Sequence, residues 1–316
     1  MLSTAQIESY WRNGYLVVED VLDQTSVLDP VRREYGGILD DLYNGWFAKG
    51  LVTQAPKGMD FVQKLAHSYA QKCDWFQPMD ISLPAERITE DTPMHFGPAV
   101  FDMLTNPRLL DLVADLIGPE ITSTPIQHVR IKPPANTLFS DEARPHLGQT
   151  AWHQDRAVAH AEADATDMVT IWIAVTDATV DNGCLQVVPN VHDSMLPHCP
   201  MKQTSIADGY LDLDRAIPLP VKSGGVLVLD PMLPHASLVN ATLGIRWSFD
   251  VRYNRTGQPT GRAHFPEFVA RSLATPDSEL GDWRTWKRNW ETARSRIAKQ
   301  PHIDLHRWDS NAPACA

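Results

Sequence analysis

The stretch Ala151-Trp152-His153-Gln154-Asp155 decides the reading of this chain. It sets an imidazole and a carboxylate two residues apart, and in a β-strand positions i and i+2 share a face. One metal ion can therefore take both. A third donor stands in Pro234-His235-Ala236-Ser237, and Gly244-Ile245-Arg246-Trp247 places an arginine eleven residues beyond His235. Two imidazoles and one carboxylate on one face of a metal, with positions left open, form the donor set of non-haem Fe(II) sites.

The triplet alone carries little weight. With 12 His in an acid-rich chain, about one or two His-x-Asp/Glu triplets arise by chance. A competitor exists in His302-Ile303-Asp304, with His306 close by. Too little chain follows it to supply a distal ligand and an arginine in that order, so it reads as surface or tail. The context of His153 and Asp155 is what favours them.

Composition sets the outer bounds. A chain of 316 residues, 43% hydrophobic and 21% charged, is that of a soluble globular protein. The net charge of −11 argues against nucleic acid or an anionic membrane as a partner. No run approaches the roughly 18 apolar residues of a membrane span, and no basic region followed by an apolar core opens the chain. The cysteines Cys73, Cys184, Cys199 and Cys315 are scattered without a Cys-x-x-Cys pair. They read as reduced cytosolic thiols, and the expected setting is cytoplasmic.

From the start of the chain, Ser3-Thr4-Ala5-Gln6 has the spacing of a capping box, and Gly14 closes the helix that follows. Tyr15 to Val18 reads as a strand. A second helix is expected from about Ser26 to Lys49, interrupted or ended near Gly36-Gly37. Residues 50 to 95 have no readable period. Asn106 is expected to cap a helix with the stripe Leu109, Leu110, Leu112, Val113 and Ile117, ended by Gly118-Pro119.

The character changes near residue 121. Ile121 to Lys132 has a strand pattern stopped by Pro133-Pro134, and residues 135 to 150 form a polar loop. Met168 to Val175, Cys184 to Val188 after the turn Asp181-Asn182-Gly183, Val226 to Asp230 and Arg246 to Tyr253 are further strands. Residues 192 to 220 read as an insertion. Short strands separated by turns predict an all-β core with flanking helices, a sandwich or jelly roll and not a parallel α/β sheet. After residue 264 helix returns, and Trp283, Trp286 and Trp290 form a stripe suited to core packing. The expected organisation is one domain over 1–316, with a helical part to about 120, a β core over about 121–264 and a helical part over about 265–316.

From about Ile121 to Tyr253 the chain resembles the phytanoyl-CoA dioxygenase family of Fe(II)- and 2-oxoglutarate-dependent oxygenases. The matching residues are Ile131-Lys132-Pro133-Pro134, Trp152-His153-Gln154-Asp155, Trp172-Ile173-Ala174 and Asp181-Asn182-Gly183-Cys184-Leu185. Val188-Pro189, His192, His235-Ala236-Ser237, Asn240 and Arg246 complete the series, and Gly14-Tyr15-Leu16-Val17-Val18 is also similar. Their order and spacing together carry the likeness. Gly225 departs from it, standing where many relatives carry Asp.

The resemblance implies a double-stranded β-helix of the cupin type, with Fe(II), 2-oxoglutarate as cosubstrate and O2. His153, Asp155 and His235 would take one face of the metal. 2-Oxoglutarate would fill two of the remaining positions, and its far carboxylate would meet Arg246, whose guanidinium can grip it bidentately, with Ser237 as a supporting hydroxyl. Trp172 matches a residue lining that pocket, although a tryptophan in an apolar strand is also an ordinary core residue. His128 stands where relatives carry another cosubstrate-contacting residue, commonly Gln or Met, and its type departs from them. His160, His192, His198 and His264 stay unassigned, His192 being better suited to a structural hydrogen bond.

Relatives that halogenate replace the carboxylate ligand by a small residue. Asp155 is present, so hydroxylation or another oxidation begun by hydrogen abstraction is implied, with succinate and CO2 as co-products. Specificity is expected in the segments over the barrel mouth, residues 50 to 95, 135 to 150 and 193 to 220 and the tryptophan-rich C-terminal helix. Trp152 or Trp247 would supply an aromatic wall. No basic cluster suits the phosphates of coenzyme A, which favours a small organic acid or a natural-product intermediate as the small-molecule substrate of a monomer or homodimer. The competing readings are a cupin-like metal-dependent isomerase or hydrolase without 2-oxoglutarate chemistry, and a degenerate binding protein. Arg246 and Ser237 argue against the former, the intact ligand set against the latter.

Overall fold

A computed structural model describes all residues except 85–86, 191–192, 201–202, 302–306 and 316. The triplet of His302 and Asp304, with His306, and the unassigned His192 lie outside the described residues. The N-terminal part holds α1 (Thr4–Asn13), β1 (Tyr15–Val18), α2 (Asp29–Ala48), α3 (Phe61–Ala70), α4 (Phe76–Met79), α5 (Pro98–Leu104) and α6 (Pro107–Ile117). The β-rich part follows with β2 (Ile121–Lys132), β3 (Met168–Ala174), β4 (Leu185–Val187), β5 (His198–Pro200), β6 (Thr204–Ile206) and β7 (Ile217–Leu219). It continues through β8 (Val226–Leu229), β9 (His235–Ser237), β10 (Arg246–Arg255) and β11 (Phe268–Arg271), before α7 (Trp283–Ile297).

Among the described residues the major sheet runs β1-β8-β3-β10-β2-β11, and a minor sheet β7-β4-β9 faces it, all pairings being antiparallel. This is the expected jelly-roll core with flanking helices. Its logic lies in alternation along each strand. Val129 and Ile131, Ile171 and Ile173, Val226 and Val228, and Trp247, Phe249, Val251 and Tyr253 join the large core shared with the helices. The alternate residues Trp172, Ala174, Leu227 and Leu229 pack inside the barrel with Leu185 and Val187 of the minor sheet. Both faces are buried, so the strands read as near-continuous apolar runs with inward charges set among them.

The helices follow their local chemistry. Ser3 and Gln6 form the reciprocal capping box, and Gly14 ends α1 in the left-handed conformation. Asn106 accepts from the amides of Arg108 and Leu109, and α6 buries Leu109, Leu110, Leu112, Val113 and Ile117 against the sheet. Each such side chain contributes about 1.5–3 kcal/mol of burial, so a charge at Leu109 would detach the helix. Two expectations are corrected here. Gly36-Gly37 does not interrupt α2, because burying Val31, Tyr35, Leu39 and Tyr43 outweighs a glycine penalty of about 1 kcal/mol each. Trp247 forms no wall at the metal: it stacks on Phe61 and meets Tyr35 at a tilt in the helical layer.

The cysteine expectation is also corrected. Cys199 and Cys315 are joined in a disulfide, while Cys73 and Cys184 are free and buried. A separation of 116 residues leaves no local pattern by which sequence could pair them. A cytoplasmic setting loses the support that four reduced thiols gave it. No helix among the described residues is long and apolar enough to cross a membrane.

Candidate metal centre and cosubstrate pocket

His153 and His235 lie opposite each other across an antiparallel bridge, each backbone N–H donating to the other's carbonyl at 2.9 Å. His153 therefore does not sit in a regular strand, and Asp155 opens a 3-10 turn, Asp155–Val158. The two side chains still converge. Asp155 Oδ1 is 3.6 Å from His153 Nε2 and 3.8 Å from His235 Nε2, and the three ligand atoms lie within 4.8 Å of one another.

The protonation pattern suits a metal. His153 Nδ1 bonds to the Ala151 carbonyl at 2.9 Å and His235 Nδ1 to the Leu233 carbonyl at 3.0 Å. Both rings must donate there, so in its neutral form each turns the Nε2 lone pair toward Asp155. Burial, then the neighbouring His153, pulls the His235 pKa down to about 4, so this ring is neutral at physiological pH. For Asp155, burial works upward, but Arg252 and then His235 and His153 outweigh it and hold the carboxyl well below its usual range. Its Oδ2 is buried without a partner. The donors thus fit a divalent cation.

Arg252 reaches Asp155 because β2 is irregular. The β10–β2 register shifts between Asp250, paired with His128, and Arg252, paired with Thr124. Pro125 sits inside the shift, where it has no N–H to lose from the ladder. The Ile126 carbonyl turns to accept from Arg252 Nη1 at 2.9 Å, and Arg252 Nη2 donates to Asp155 Oδ1.

Further along the same inner face, Arg246 and Lys132 are direct cross-strand partners. They are 0% and 1% exposed, and neither meets a carboxylate among the described residues. Arg246 donates from Nε to the Gly183 carbonyl at 3.2 Å and from Nη1 to Ser248 Oγ at 2.6 Å, while its Nη2 is buried without a partner among the described residues. Its guanidinium lies over Trp172, 5.3 Å from the ring centroid, and Trp172 Nε1 also lacks a partner. Gly183 holds its carbonyl there with φ 94°; a Cβ would meet the Leu238 carbonyl at 2.7 Å.

Lys132 donates to Ser237 Oγ and, at 3.3 Å, to Thr150 Oγ1. Burial first, then Arg246 and Arg130, push the Lys132 pKa well below its ordinary value, and burial, then Arg130, bring Arg246 to about 9, which leaves it charged at neutral pH. Asn240 braces the pair, donating to the carbonyls of Lys132 and Gly244 at 3.0 and 2.9 Å.

The structure thus brings His153, Asp155 and His235 together, and places Arg246, Ser237 and Trp172 as neighbours around a second polar centre. His128 stands on the inner face as well, with Nδ1 2.8 Å from Asp80 Oδ2. Sequence reasoning offered Lys132, Arg130 and Arg252 only as alternatives to Arg246 for the clamp, and missed Asp80, Thr150 and the Arg252–Asp155 pair. The i, i+2 spacing of Arg130 with Lys132 and of Asp250 with Arg252 was the available signal, since alternate residues of a buried strand share its inner face.

A jelly roll carrying an inward His-Asp-His set has the donor arrangement of a non-haem metal enzyme, the arrangement that 2-His-1-carboxylate oxygenases use. Residues 10–248 match the phytanoyl-CoA dioxygenase (PhyH) family, and the chain belongs to that family. It is accordingly an Fe(II)- and 2-oxoglutarate-dependent oxidoreductase, with Fe(II), 2-oxoglutarate and O2 as its cofactors.

A probable phytanoyl-CoA dioxygenase of Caenorhabditis elegans is 25% identical over 264 residues, 80% of this chain and 75% of that protein. Against further curated relatives the chain spans about half their length. Among solved structures, the apo non-heme monooxygenase ThoJ aligns over 93% of this chain and 98% of its own, with a TM-score of 0.58 at 18% identity. EvdO2 from Micromonospora carbonacea var. aurantiaca, solved with 2-oxoglutarate, aligns over 81% and 92% with a TM-score of 0.51 at 20% identity. These likenesses show the fold.

Proposed function

We propose that this enzyme hydroxylates a small organic or natural-product substrate while 2-oxoglutarate is converted to succinate and CO2. His153, Asp155 and His235 would hold the iron, which when bound supplies O2 activation coupled to oxidative decarboxylation of the cosubstrate. Arg246 would grip the far carboxylate of 2-oxoglutarate, with Ser237 and Lys132 on its other side and Trp172 flooring the pocket. The carboxylate ligand Asp155 supports hydroxylation over halogenation.

One observation carries the cosubstrate assignment. Two basic side chains, Arg246 and Lys132, face each other across a ladder in a buried barrel, and neither is salt-bridged to a carboxylate among the described residues. Like charges directly opposite are destabilising, and an unpaired buried charge costs several kcal/mol. A dianionic ligand reaching from the metal to this pair offsets that cost. An isomerase or hydrolase using the same three ligands has no need of it.

The test is succinate formation from 2-oxoglutarate by the Fe(II)-loaded enzyme with ascorbate, read beside 2-oxoglutarate binding to the Co(II) form. Substrate-independent decarboxylation and binding that depend on Arg246 are expected. A folded, metal-loaded protein that neither binds nor consumes 2-oxoglutarate would return the chain to the isomerase or hydrolase class.

A further inference from the structure

The barrel holds a second group of donors that neither the metal nor the 2-oxoglutarate clamp uses. Arg130 gives Nε and Nη2 to Asp250 at 3.0 and 2.9 Å. That fork fixes the guanidinium plane and leaves Nη1 buried without a partner among the described residues, on a residue only 9% exposed. His128 is fixed in the same way. Asp80 takes its Nδ1 through Oδ2, while Asp80 Oδ1 accepts the amides of Val129 and Ile81 at 3.0 and 2.9 Å. The imidazole is held on one edge, and with its side chain 26% exposed it presents the other.

His146 completes the group. Its ring stacks on Phe76 with centroids 4.2 Å apart and meets His128 edge-on at 4.8 Å, and its Nδ1 is buried without a partner among the described residues. Burial, then the fields of Arg130, His128 and Lys132, hold its pKa well below the ordinary value, so it is a neutral donor or acceptor near pH 7. The loop that carries it is anchored from outside: Arg144 bonds to Glu142 and Asp74, and Tyr69 to Glu142. Asp250, which holds Arg130, and Arg252, which donates to Asp155, are successive inner-face positions of β10, so the cluster lies one inner-face step along the barrel from the ligand set. Phe76 and Asp80 come from the 50–95 segment and His146 from the 135–150 loop, the parts of the chain without a family signature.

Buried polar atoms without partners each cost about 1–3 kcal/mol and in native proteins call for an explanation. A bound acceptor explains two of them at once. We propose that Arg130, His146 and His128 form the substrate subsite, taking an oxyanion of the substrate, a carboxylate or a phosphorus oxyacid, and thereby presenting a neighbouring C–H bond to the metal. This rests on the oxygenase reading above and deepens it: the substrate is a small acid, held by the Arg130 guanidinium that Asp250 pre-sets and by an N–H of His146, whose ring is packed between Phe76 and the Asp80-anchored His128. The subsite is distinct from the Arg246–Lys132 clamp, which takes the cosubstrate.

The test uses the full chain loaded with Co(II) and 2-oxoglutarate, whose ligand-field absorption reports binding next to the metal. Phosphate, propionate and, as a cationic control, propylamine are titrated into the wild type, into His146→Phe and into the double variant Arg130→Met/Asp250→Asn. His146→Phe keeps the stack on Phe76 and changes no buried charge, so it carries the test if the double variant does not fold. The wild type is expected to bind at least one oxyanion and not propylamine, a preference for phosphate or propionate identifying the acid. Each variant should weaken that binding by roughly tenfold or more while 2-oxoglutarate affinity stays within about twofold. Parallel loss of 2-oxoglutarate affinity would assign these residues to the cosubstrate pocket and overturn the proposal. So would oxyanion binding unchanged in the variants, or no oxyanion binding to a wild type that does bind 2-oxoglutarate. A wild type that does not bind 2-oxoglutarate at all would instead remove the oxygenase reading on which the proposal stands.

Discussion

Arg252 donates to Asp155 through the same carboxylate oxygen that faces both His153 and His235. The guanidinium thereby aims the carboxylate and keeps it ionised. Groups that orient a metal ligand typically contribute 10–100-fold in metal affinity. Arg252→Gln is expected to weaken Co(II) binding by roughly that factor. Because Asp155 then loses the strongest influence lowering its pKa, protons should compete with metal at higher pH than in the wild type. Isothermal titration with Co(II) across pH checks both effects, and unchanged affinity at every pH would reduce Arg252 to a packing residue.

Arg246 should decide cosubstrate affinity. Removing one partner of a buried charge pair costs about 3–5 kcal/mol, so Arg246→Ala is expected to raise the 2-oxoglutarate Kd by roughly two orders of magnitude or more. Arg246→Lys should recover only part of this, since it forfeits the planar fork and the stack over Trp172. An unaltered Kd in the alanine variant would move the clamp to Lys132, because Arg130 and Arg252 are already held by Asp250 and Asp155.

Lys132 should make that binding proton-linked. Its pKa in the free protein is depressed by burial and then by Arg246 and Arg130, and an arriving carboxylate favours the charged form and raises it again. Binding of 2-oxoglutarate is therefore expected to take up protons between the free and bound pKa values. The sign follows: affinity is greatest below the free-state pKa, falls as pH rises through that window and levels off above the bound-state pKa. Calorimetry in two buffers of different ionisation enthalpy measures the uptake. Its absence, or its persistence in Lys132→Met, would take Lys132 out of the pocket.

The ligand set and the outline of the barrel were legible because each strand that carries them starts or stops at a strong local signal. Lys132 precedes Pro133-Pro134, His235 follows Pro234, and Arg246 begins an apolar run after Gly244. The inner charges were not. In a strand buried on both faces, Arg130 or Arg252 looks like a surface cation, and only the fold shows that the alternate positions face a barrel interior. Asp80 and His146 lie farther from any signal, in segments whose order comes from tertiary contacts. α4 is a single turn with no side-chain cap, whereas α3 opens with an Asp60–Gln63 capping box, a signal that the sequence reading passed over. The pairing of Cys199 with Cys315 depends on where the chain returns after α7, which no local pattern encodes.

That return also bears on the metal. His198 Nε2 accepts the Gln154 amide at 3.0 Å, between the two ligands His153 and Asp155, and its Nδ1 bonds to the Leu196 carbonyl at 2.7 Å. Trp308 stacks on the His198 ring with centroids 5.1 Å apart and donates to the Ala157 carbonyl at 2.8 Å. Cys199, the next residue after His198, is tied to Cys315, so the disulfide secures the tail that presses on the ligand turn. Native disulfides typically contribute about 2–4 kcal/mol. Reduction, or Cys315→Ser, is expected to lower the melting midpoint by on the order of 5 °C and to speed release of Co(II). Trp308→Leu should speed metal release without touching the sulfurs. Thiol titration of the denatured protein before and after reduction should count two and then four thiols, from the four cysteines of the chain. Equal metal release in oxidised, reduced and Trp308→Leu protein would show that the tail covers the turn without holding it.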